Sequence, residues 1–337
     1  MTHDYVVAAV ASAAVAFLVV YVMTPPLIRF LEGRGMVVPD INKKGNITVA
    51  RPAGPVIIGG ILASEFVVYL FFSDVSILAI MATTSIAFIA GLIDDLKTMG
   101  GWFKPVTLAL AAAPIILLGT YDTSLGFPFF GDVQIPVLYL GVIVIMISVT
   151  GNTINSIDVV NGAASGFMVI TGLALSGSLF LTELLSGGVD YVIAVASLPL
   201  VFVSLALYRY HRIPSRIFPG DSGAVTFGCM YGVIAITGGV EVIAAIALLP
   251  AVANSFFFLS STKRIVEHRD IRSKPVTHTE DMKLKATRSK SAPVTLVRLI
   301  VASTPLSEGD VARAILRLAA FSSGLAVATT VIAGVIS

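Results

Sequence analysis

The chain has 337 residues, of which 56% are hydrophobic and only 12% are Asp, Glu, Lys or Arg. Soluble globular domains carry roughly 25% charged residues, so this composition excludes an ordinary soluble enzyme, a disordered chain and a nucleic-acid-binding domain. The mean hydropathy of +0.93 instead indicates a polytopic helical membrane protein. The single cysteine, Cys229, excludes an intrachain disulfide and a multi-cysteine metal site.

Ten apolar windows are long enough to form transmembrane helices, which need about 17–25 residues each. In chain order they cover residues 5–24, 55–73, 76–93, 105–120, 133–150, 163–182, 190–208, 222–239, 241–261 and 314–336. The sequence therefore predicts an all-α fold with about ten transmembrane helices. We expect a single catalytic domain over residues 1–337, with a polar cytoplasmic loop region at 262–313 between the ninth and tenth helices.

The charges are segregated along the chain. All 22 Lys and Arg residues lie in the connections after odd-numbered windows, or at the helix ends that flank them. The even-numbered connections carry acidic residues instead: Asp74, Asp122, Asp132, Glu183, Asp190 and Glu241. Because cytoplasmic loops of membrane proteins are enriched in Lys and Arg, we expect the odd connections to be cytoplasmic. Both termini are then non-cytoplasmic, and the long polar cytoplasmic loops form the working face.

An acidic pair, Asp94-Asp95, ends the third predicted helix, and Lys104 follows nine residues later. Two adjacent carboxylates at a membrane boundary repel each other and lose hydration, so a neighbouring cation stabilises them. The pair therefore indicates a Mg²⁺ site or a general base, unless it is only a solvated helix end.

A polar run follows the fifth window. Asn152, Asn155 and Asp158 are spaced by three, so on a helix they share one face. Amide and carboxylate oxygens are the ligands that hard cations prefer, although a polar seam between helices has the same spacing. The dipeptide Asn161-Gly162 is typical of a turn.

Asp221 opens the eighth helix between Gly220 and Ser222-Gly223. An Asp in this position can cap the helix, hold a metal, or do both. Basic residues in the predicted cytoplasmic loops suit phosphate groups, because guanidinium and ammonium groups donate several charged hydrogen bonds. The same residues could also reflect membrane topology alone.

Together these motifs resemble those of the polyprenyl-phosphate N-acetylhexosamine-1-phosphate transferases. That family includes the dolichyl-phosphate GlcNAc-1-phosphate transferase and the phospho-MurNAc-pentapeptide transferase. The resemblance spans the polar loops from about residue 43 to 290 and rests on the acidic pair with Lys104, the run from Asn152 to Gly162, and Gly220-Asp221-Ser-Gly223. It implies transfer of a sugar 1-phosphate from a UDP-sugar to a polyprenyl or dolichyl phosphate in the bilayer, with UMP as the second product.

The resemblance also implies a role for each candidate residue. Asp221 and Asn152 are expected to bind Mg²⁺, for which Mn²⁺ could substitute. The expected catalytic residues are Asp94, Asp95, Lys104, Asn155 and Asp158. The expected substrate-binding residues are Lys44, Arg51, Asn161, His268, Arg269 and Arg272. We expect a homodimer and no nucleic-acid partner.

Departures from the family pattern narrow the prediction. His268-Arg269 stands where the peptidoglycan enzymes have a His-rich motif, which favours UDP-GlcNAc as the donor. Asp158 differs from the eukaryotic pattern and Asn161 from the bacterial one, so we expect a prokaryotic, archaeal-type cell membrane. The alternative within this enzyme class is another donor, such as UDP-MurNAc-pentapeptide.

Two alternatives lie outside this activity. A secondary transporter would place ionisable groups at the bilayer midplane, where the predicted helices of this chain carry only Glu65. A non-catalytic homologue would have lost some of the candidate ligands, and this chain retains them.

Overall fold

A computed structural model describes residues 3–97, 99–100, 102–127, 131–263 and 273–336. Three antiparallel hairpins occur among them: β1 (Val37–Pro39) with β2 (Thr48–Ala50), β3 (Ser124–Phe127) with β4 (Gly131–Gln134), and β5 (Val276–His278) with β6 (Leu284–Ala286). The described helices are α1 (His3–Gly33), α2 (Gly54–Phe72), α3 (Val75–Leu96), α4 (Phe103–Leu110), α5 (Ala113–Leu118), α6 (Pro136–Ile157), α7 (Ala163–Leu185), α8 (Val192–His211), α9 (Gly220–Thr237), α10 (Glu241–Ala247), α11 (Leu249–Thr262), α12 (Leu296–Ile300) and α13 (Glu308–Ile336).

Each of the ten predicted windows coincides with one helix or one pair of helices. Among the described residues, seven helices are individually long and apolar enough to cross a membrane. The pair α10 and α11 adds an eighth span if its two parts, which meet at 73°, are counted together. The fourth window is broken into the short helices α4 and α5, and the eighth forms α9, which is 18 residues long. The chain is an all-α integral membrane protein.

Helix α1 continues nine residues beyond its predicted window, through Pro25 and Pro26 to Gly33. A proline inside a helix has no N–H to donate to the carbonyl four residues earlier. For Pro25 that carbonyl belongs to Tyr21, and the hydroxyl of Tyr210 in α8 donates to it at 2.9 Å. A side chain from a neighbouring helix thus replaces the missing backbone hydrogen bond, which is how membrane helices tolerate proline.

Helix α9 lies at the centre of the bundle, packed closely against α3 and α6, and nearly all of its residues are buried. Glycines allow this close packing, as is common between membrane helices. A Cβ atom on Gly91 of α3 would lie 2.5 Å from the Cα of Ser222, and one on Gly228 would lie 2.2 Å from the carbonyl oxygen of Thr150. The backbones of α3, α9 and α6 can therefore approach one another only because these positions lack side chains.

The connections after odd-numbered windows gather at one end of the bundle. The β1–β2 hairpin, the acidic end of α3, the α6–α7 turn and the start of α9 meet there. Helix α1 runs into this end and α13 starts from it, since Glu308 pairs with Lys43. The opposite ends of α1 and α13 therefore lie on the other face, as the alternation of charge predicts.

Candidate active site

The carboxylate of Asp221 lies between two cations. Lys104 Nζ is 2.6 Å from its Oδ1, and Arg51 Nη2 is 2.8 Å from its Oδ2. Asp221 does not cap α9, because Pro219 occupies the N-cap position and both oxygens of Asp221 bind cations. Gly220 makes this approach possible: it has a φ of +72°, and a Cβ there would lie 2.5 Å from Pro52. The N-cap interpretation of Asp221 is therefore wrong.

The two carboxylates at the end of α3 have different partners. Asp94 Oδ2 is 2.9 Å from Lys104 Nζ, and its Oδ1 accepts from the backbone N–H of Met99 at 2.8 Å. Asp95 accepts instead from the backbone N–H groups of Asp221 and Ser222, at 2.9 and 2.8 Å. Asp94 thus faces a cation of the site, whereas Asp95 mainly satisfies the first amides of α9, which have no partner within their own helix.

These groups form a chain of alternating charge. It runs from Asp94 through Lys104, Asp221 and Arg51 to Asp95, whose Oδ1 is 3.1 Å from Arg51 Nη2. The side chains of Asp94 and Asp95 are almost fully buried, and that of Arg51 is 36% exposed. Buried charges are stable only when each has a partner. The alternation supplies these partners, and the partly exposed cation Arg51, which lies between Asp221 and Asp95, can exchange a contact for a ligand.

The polar face of α6 is only partly directed at this chain. The side chain of Asn155 hydrogen-bonds to Asp221. Asn152 Nδ2 donates to the carbonyl oxygen of Ser148 at 2.9 Å, within its own helix. Asp158 lies past the last helical residue, Ile157. The three-residue spacing therefore does not put all three side chains on one helical face, because the helix ends before the third.

A cavity of about 320 Å³ opens beside Arg51 and Asn155. Asp158 and Asn161 also line it, as does His211, a residue that the motifs did not identify. Nδ1 of His211 lies 2.9 Å from the hydroxyl of Ser165, and its Nε2 lies 3.5 Å from Asp158 Oδ1. Burial raises the pKa of Asp158 to about 7. The volume lies at the lower end of the range for small-molecule sites, roughly 300–1,000 Å³.

The predicted basic residues have different environments. Arg51 belongs to the charge chain. Lys44 is exposed in the β1–β2 loop, while its neighbour Lys43 pairs with Glu308. His268, Arg269 and Arg272 lie outside the described residues.

Within the described ranges, no group of three or more His, Cys, Asp or Glu side chains is arranged to hold a metal ion. Mg²⁺ usually binds one or two protein carboxylates and completes its shell with water and substrate phosphates. Asp221 and Asn155 fit that kind of site, since they are in contact and supply a carboxylate and an amide oxygen. The side-chain amide nitrogen of Asn152, a predicted metal ligand, donates a hydrogen bond within α6. In this orientation the amide oxygen of Asn152 is the atom that would bind a metal.

Comparison with known proteins agrees with this geometry. Residues 77–239, which contain the acidic pair, Lys104, the polar run and Asp221, match glycosyl transferase family 4. A protein of Sulfolobus acidocaldarius is 27% identical over 234 residues, which is 67% of this chain and 70% of the relative. A protein of Saccharolobus solfataricus is 26% identical, and the match covers 71% of this chain and 74% of the relative. The names of both assign UDP-N-acetylglucosamine–dolichyl-phosphate N-acetylglucosaminephosphotransferase activity.

A phospho-N-acetylmuramoyl-pentapeptide-transferase of Chlorobium limicola is also similar, at 27% identity over 280 residues, covering 73% of this chain and 74% of the relative. The chain is thus similar to relatives from both branches. The central part of the chain, residues 77–239, is similar to glycosyl transferase family 4.

Proposed function

We propose that the protein transfers GlcNAc 1-phosphate from UDP-GlcNAc to a polyprenyl or dolichyl phosphate, forming lipid-diphospho-GlcNAc and UMP. The observation that carries this proposal is the charge chain around Asp221, which lies at the end of membrane-spanning helices and beside a cavity. Phosphoryl transfer depends mainly on positioning and on neutralising negative charge. Lys104 and Arg51 can supply that neutralisation where a lipid acceptor and a nucleotide donor meet.

In the reaction we infer, an oxygen of the lipid phosphate attacks the β-phosphorus of the donor in line. The bond from this phosphorus to the oxygen of the α-phosphate breaks, and UMP leaves with the electron pair. Arg51 and Lys104 exchange contacts with Asp221 for contacts with phosphate oxygens. Asp94 holds Lys104 from its other side and keeps it oriented toward the reacting groups.

Mg²⁺, or Mn²⁺ in its place, would supply further charge neutralisation for the diphosphate. Asp221 and Asn155 are the residues that would hold it, with Asn152 nearby on the same helix. Removal of divalent cations with EDTA should abolish transfer, and added Mg²⁺ should restore it. Full activity in EDTA would remove the metal from the proposal.

We further propose that the site faces the cytoplasm. The end of the bundle that carries it also carries the Lys- and Arg-rich connections, which favour the cytoplasmic side of a membrane. Similarity to the proteins of Sulfolobus acidocaldarius and Saccharolobus solfataricus supports an archaeal-type membrane. The homodimer is a separate expectation, which measurement of the mass of the detergent-solubilised protein would test.

Transport by the same fold is the competing function. Glu65 of α2 is fully buried within a span, and neither carboxyl oxygen has a hydrogen-bond partner among the described residues. A transport pathway would bring several such groups together at mid-membrane. The other charged groups of the described residues lie in the connections or toward the ends of helices instead, which supports an enzyme that works at the membrane surface.

The direct test is a transfer assay with purified protein, polyprenyl phosphate, Mg²⁺ and either UDP-GlcNAc or UDP-MurNAc-pentapeptide. We expect lipid-linked product from UDP-GlcNAc, and inhibition by tunicamycin would support the family chemistry. Product from the second donor alone would correct the sugar, and no product from either donor would reject the function. A covalent phosphosugar–aspartate intermediate would contradict direct attack by the lipid phosphate.

A further inference from the structure

Three polar side chains from distant parts of the chain meet beside the cavity. Asp40, Asn161 and Glu308 are only 5%, 4% and 6% exposed. Asp40 and Asn161 line the cavity, whereas Glu308 lies behind them at the start of α13. Buried carboxylates are costly unless they are paired or hydrogen-bonded, so the partners of Asp40 and Glu308 reveal what holds this wall together.

Glu308 joins two separate pieces of the site. Its Oε1 accepts from the backbone N–H of Asn161 at 3.0 Å and from the side-chain amide of Asn42 at 3.2 Å. Its Oε2 pairs with Lys43 Nζ. One carboxylate therefore ties the β1–β2 loop, which carries Asn42 and Lys43, to the α6–α7 turn.

Asn161 is also held from a second direction, because its Nδ2 donates to Asp40 Oδ2 at 2.8 Å. Its backbone and its side chain are thus both fixed by carboxylates. The turn that they fix begins just after Asp158, which faces the cavity. The separation between the β1–β2 loop and the α6–α7 turn consequently depends on the contacts of Glu308 together with the Asp40–Asn161 hydrogen bond.

We propose that Glu308 is a positioning residue that sets the shape of the cavity for the nucleotide-sugar donor, an inference that rests on the proposed function. Glu308 acts through Asn161 and Lys43 and does not itself touch the donor. Its removal should therefore weaken donor binding more than it slows the chemical step. This pattern separates positioning of the cavity from loss of a group that reacts.

Two variants divide the contacts of Glu308. E308Q keeps an oxygen acceptor for the N–H of Asn161 but presents an amide N–H₂ to Lys43, whereas E308A removes all three contacts. We expect E308A to raise KM for UDP-GlcNAc by about tenfold or more, the loss typical of a hydrogen bond to a charged group. E308Q should raise KM by a smaller factor, and kcat should change less than KM in both variants.

The matched control is D310N, in the same helical turn. Asp310 bonds only to Ser307 and Arg313 among its described hydrogen bonds and ion pairs, and lies away from the cavity. We expect its KM and kcat to match those of the wild type. Affinity for UMP, measured by calorimetry, should fall in the Glu308 variants and stay unchanged in D310N.

A folded E308A variant with wild-type KM and wild-type UMP affinity would overturn the inference. So would a loss of kcat and thermal stability with KM unchanged, since this indicates a purely structural role. If E308A does not fold, E308Q decides by the same two measurements. Failure of the proposed function is distinguishable, because it appears as wild-type protein that makes no lipid product, whereas UMP affinity tests Glu308 without turnover.

Discussion

The carboxylate of Asp95 accepts both the backbone N–H and the hydroxyl of Ser222, at 2.8 and 2.6 Å. These bonds fasten the last turn of α3 to the first turn of α9 and so place Asp221 beside Lys104. Asp94, one residue earlier, makes neither contact and binds Lys104 instead. Two residues that look equivalent in the sequence therefore contribute differently: Asp95, besides pairing with Arg51, fixes the position of α9, whereas Asp94 contributes its charge beside Lys104.

Substitution of the two residues should separate these contributions. D95N replaces one acceptor by a donor that faces backbone N–H groups, so we expect a loss of about 1–3 kcal/mol of stability. D94N keeps the acceptor for Met99 but loses the charge beside Lys104, so it should fold normally and lose turnover. Thermal unfolding in detergent and the transfer assay measure the two effects. A stable D95N variant together with an unstable D94N variant would contradict this division.

Replacement of Asp221 should abolish turnover without unfolding the protein. In D221N, Arg51 and Lys104 keep Asp95 and Asp94 as partners, so the helix ends remain paired. Loss of the carboxylate that organises both cations should reduce kcat by about 10²-fold or more, the scale seen when a group that stabilises transition-state charge is removed. D310N again serves as the control. Near-wild-type kcat in D221N would exclude Asp221 from the chemistry.

The close contact between α3 and α9 predicts a steric effect at Gly91. In G91A the new Cβ would lie 2.5 Å from the Cα of Ser222, and backbone atoms cannot yield as a flexible side chain can. We expect a loss of about 1–3 kcal/mol of stability, typical of overpacking, together with reduced activity as Asp221 shifts. G177A, in α7, meets no atom within 4 Å and should leave both properties unchanged. Equal melting temperatures for G91A and G177A would contradict the packing described here.

Asp158 predicts a dependence of stability on pH. Its pKa is raised by burial from 3.8 to about 7, so between these values the folded protein binds a proton that the unfolded chain has released. Stability should therefore fall as pH rises from about 4 to about 7 and level off above, because the folded state holds more protons in that window. D158N should lack this component. Melting temperatures of both proteins from pH 4 to 8 would test it, and parallel curves would contradict it.

The transmembrane architecture could be predicted from the sequence because two strong physical signals agree. Apolar windows must match the bilayer thickness, and the basic residues mark every second connection. The ends of helices were less predictable. Helix α6 continues seven residues past its predicted window, to Ile157. Polar residues such as Asn155 remain helical there because their side chains point into the protein.

The motifs of the candidate site could be predicted from the sequence, but the contacts between the motifs could not. Arg51 and Asp221 lie 170 positions apart, and no local pattern indicates that one binds the other. Asp40, His211 and Glu308 were missed because each is a single polar residue outside any motif. The signal that could have identified Glu308 is weak: it is a carboxylate in the predicted cytoplasmic loop region 262–313, which cations otherwise dominate.

The position of Glu308 has a consequence for how the enzyme is made. Every residue of the charge chain has been synthesised once translation has passed Asp221. The carboxylate of Glu308, which joins the β1–β2 loop to the α6–α7 turn, belongs to α13 and is synthesised later. A nascent chain that has not yet inserted α13 carries the charge chain without the contact that closes the cavity wall. If Glu308 sets the shape of the cavity as proposed, we expect competence to bind the donor to arise late in membrane insertion, when the final helix joins the bundle.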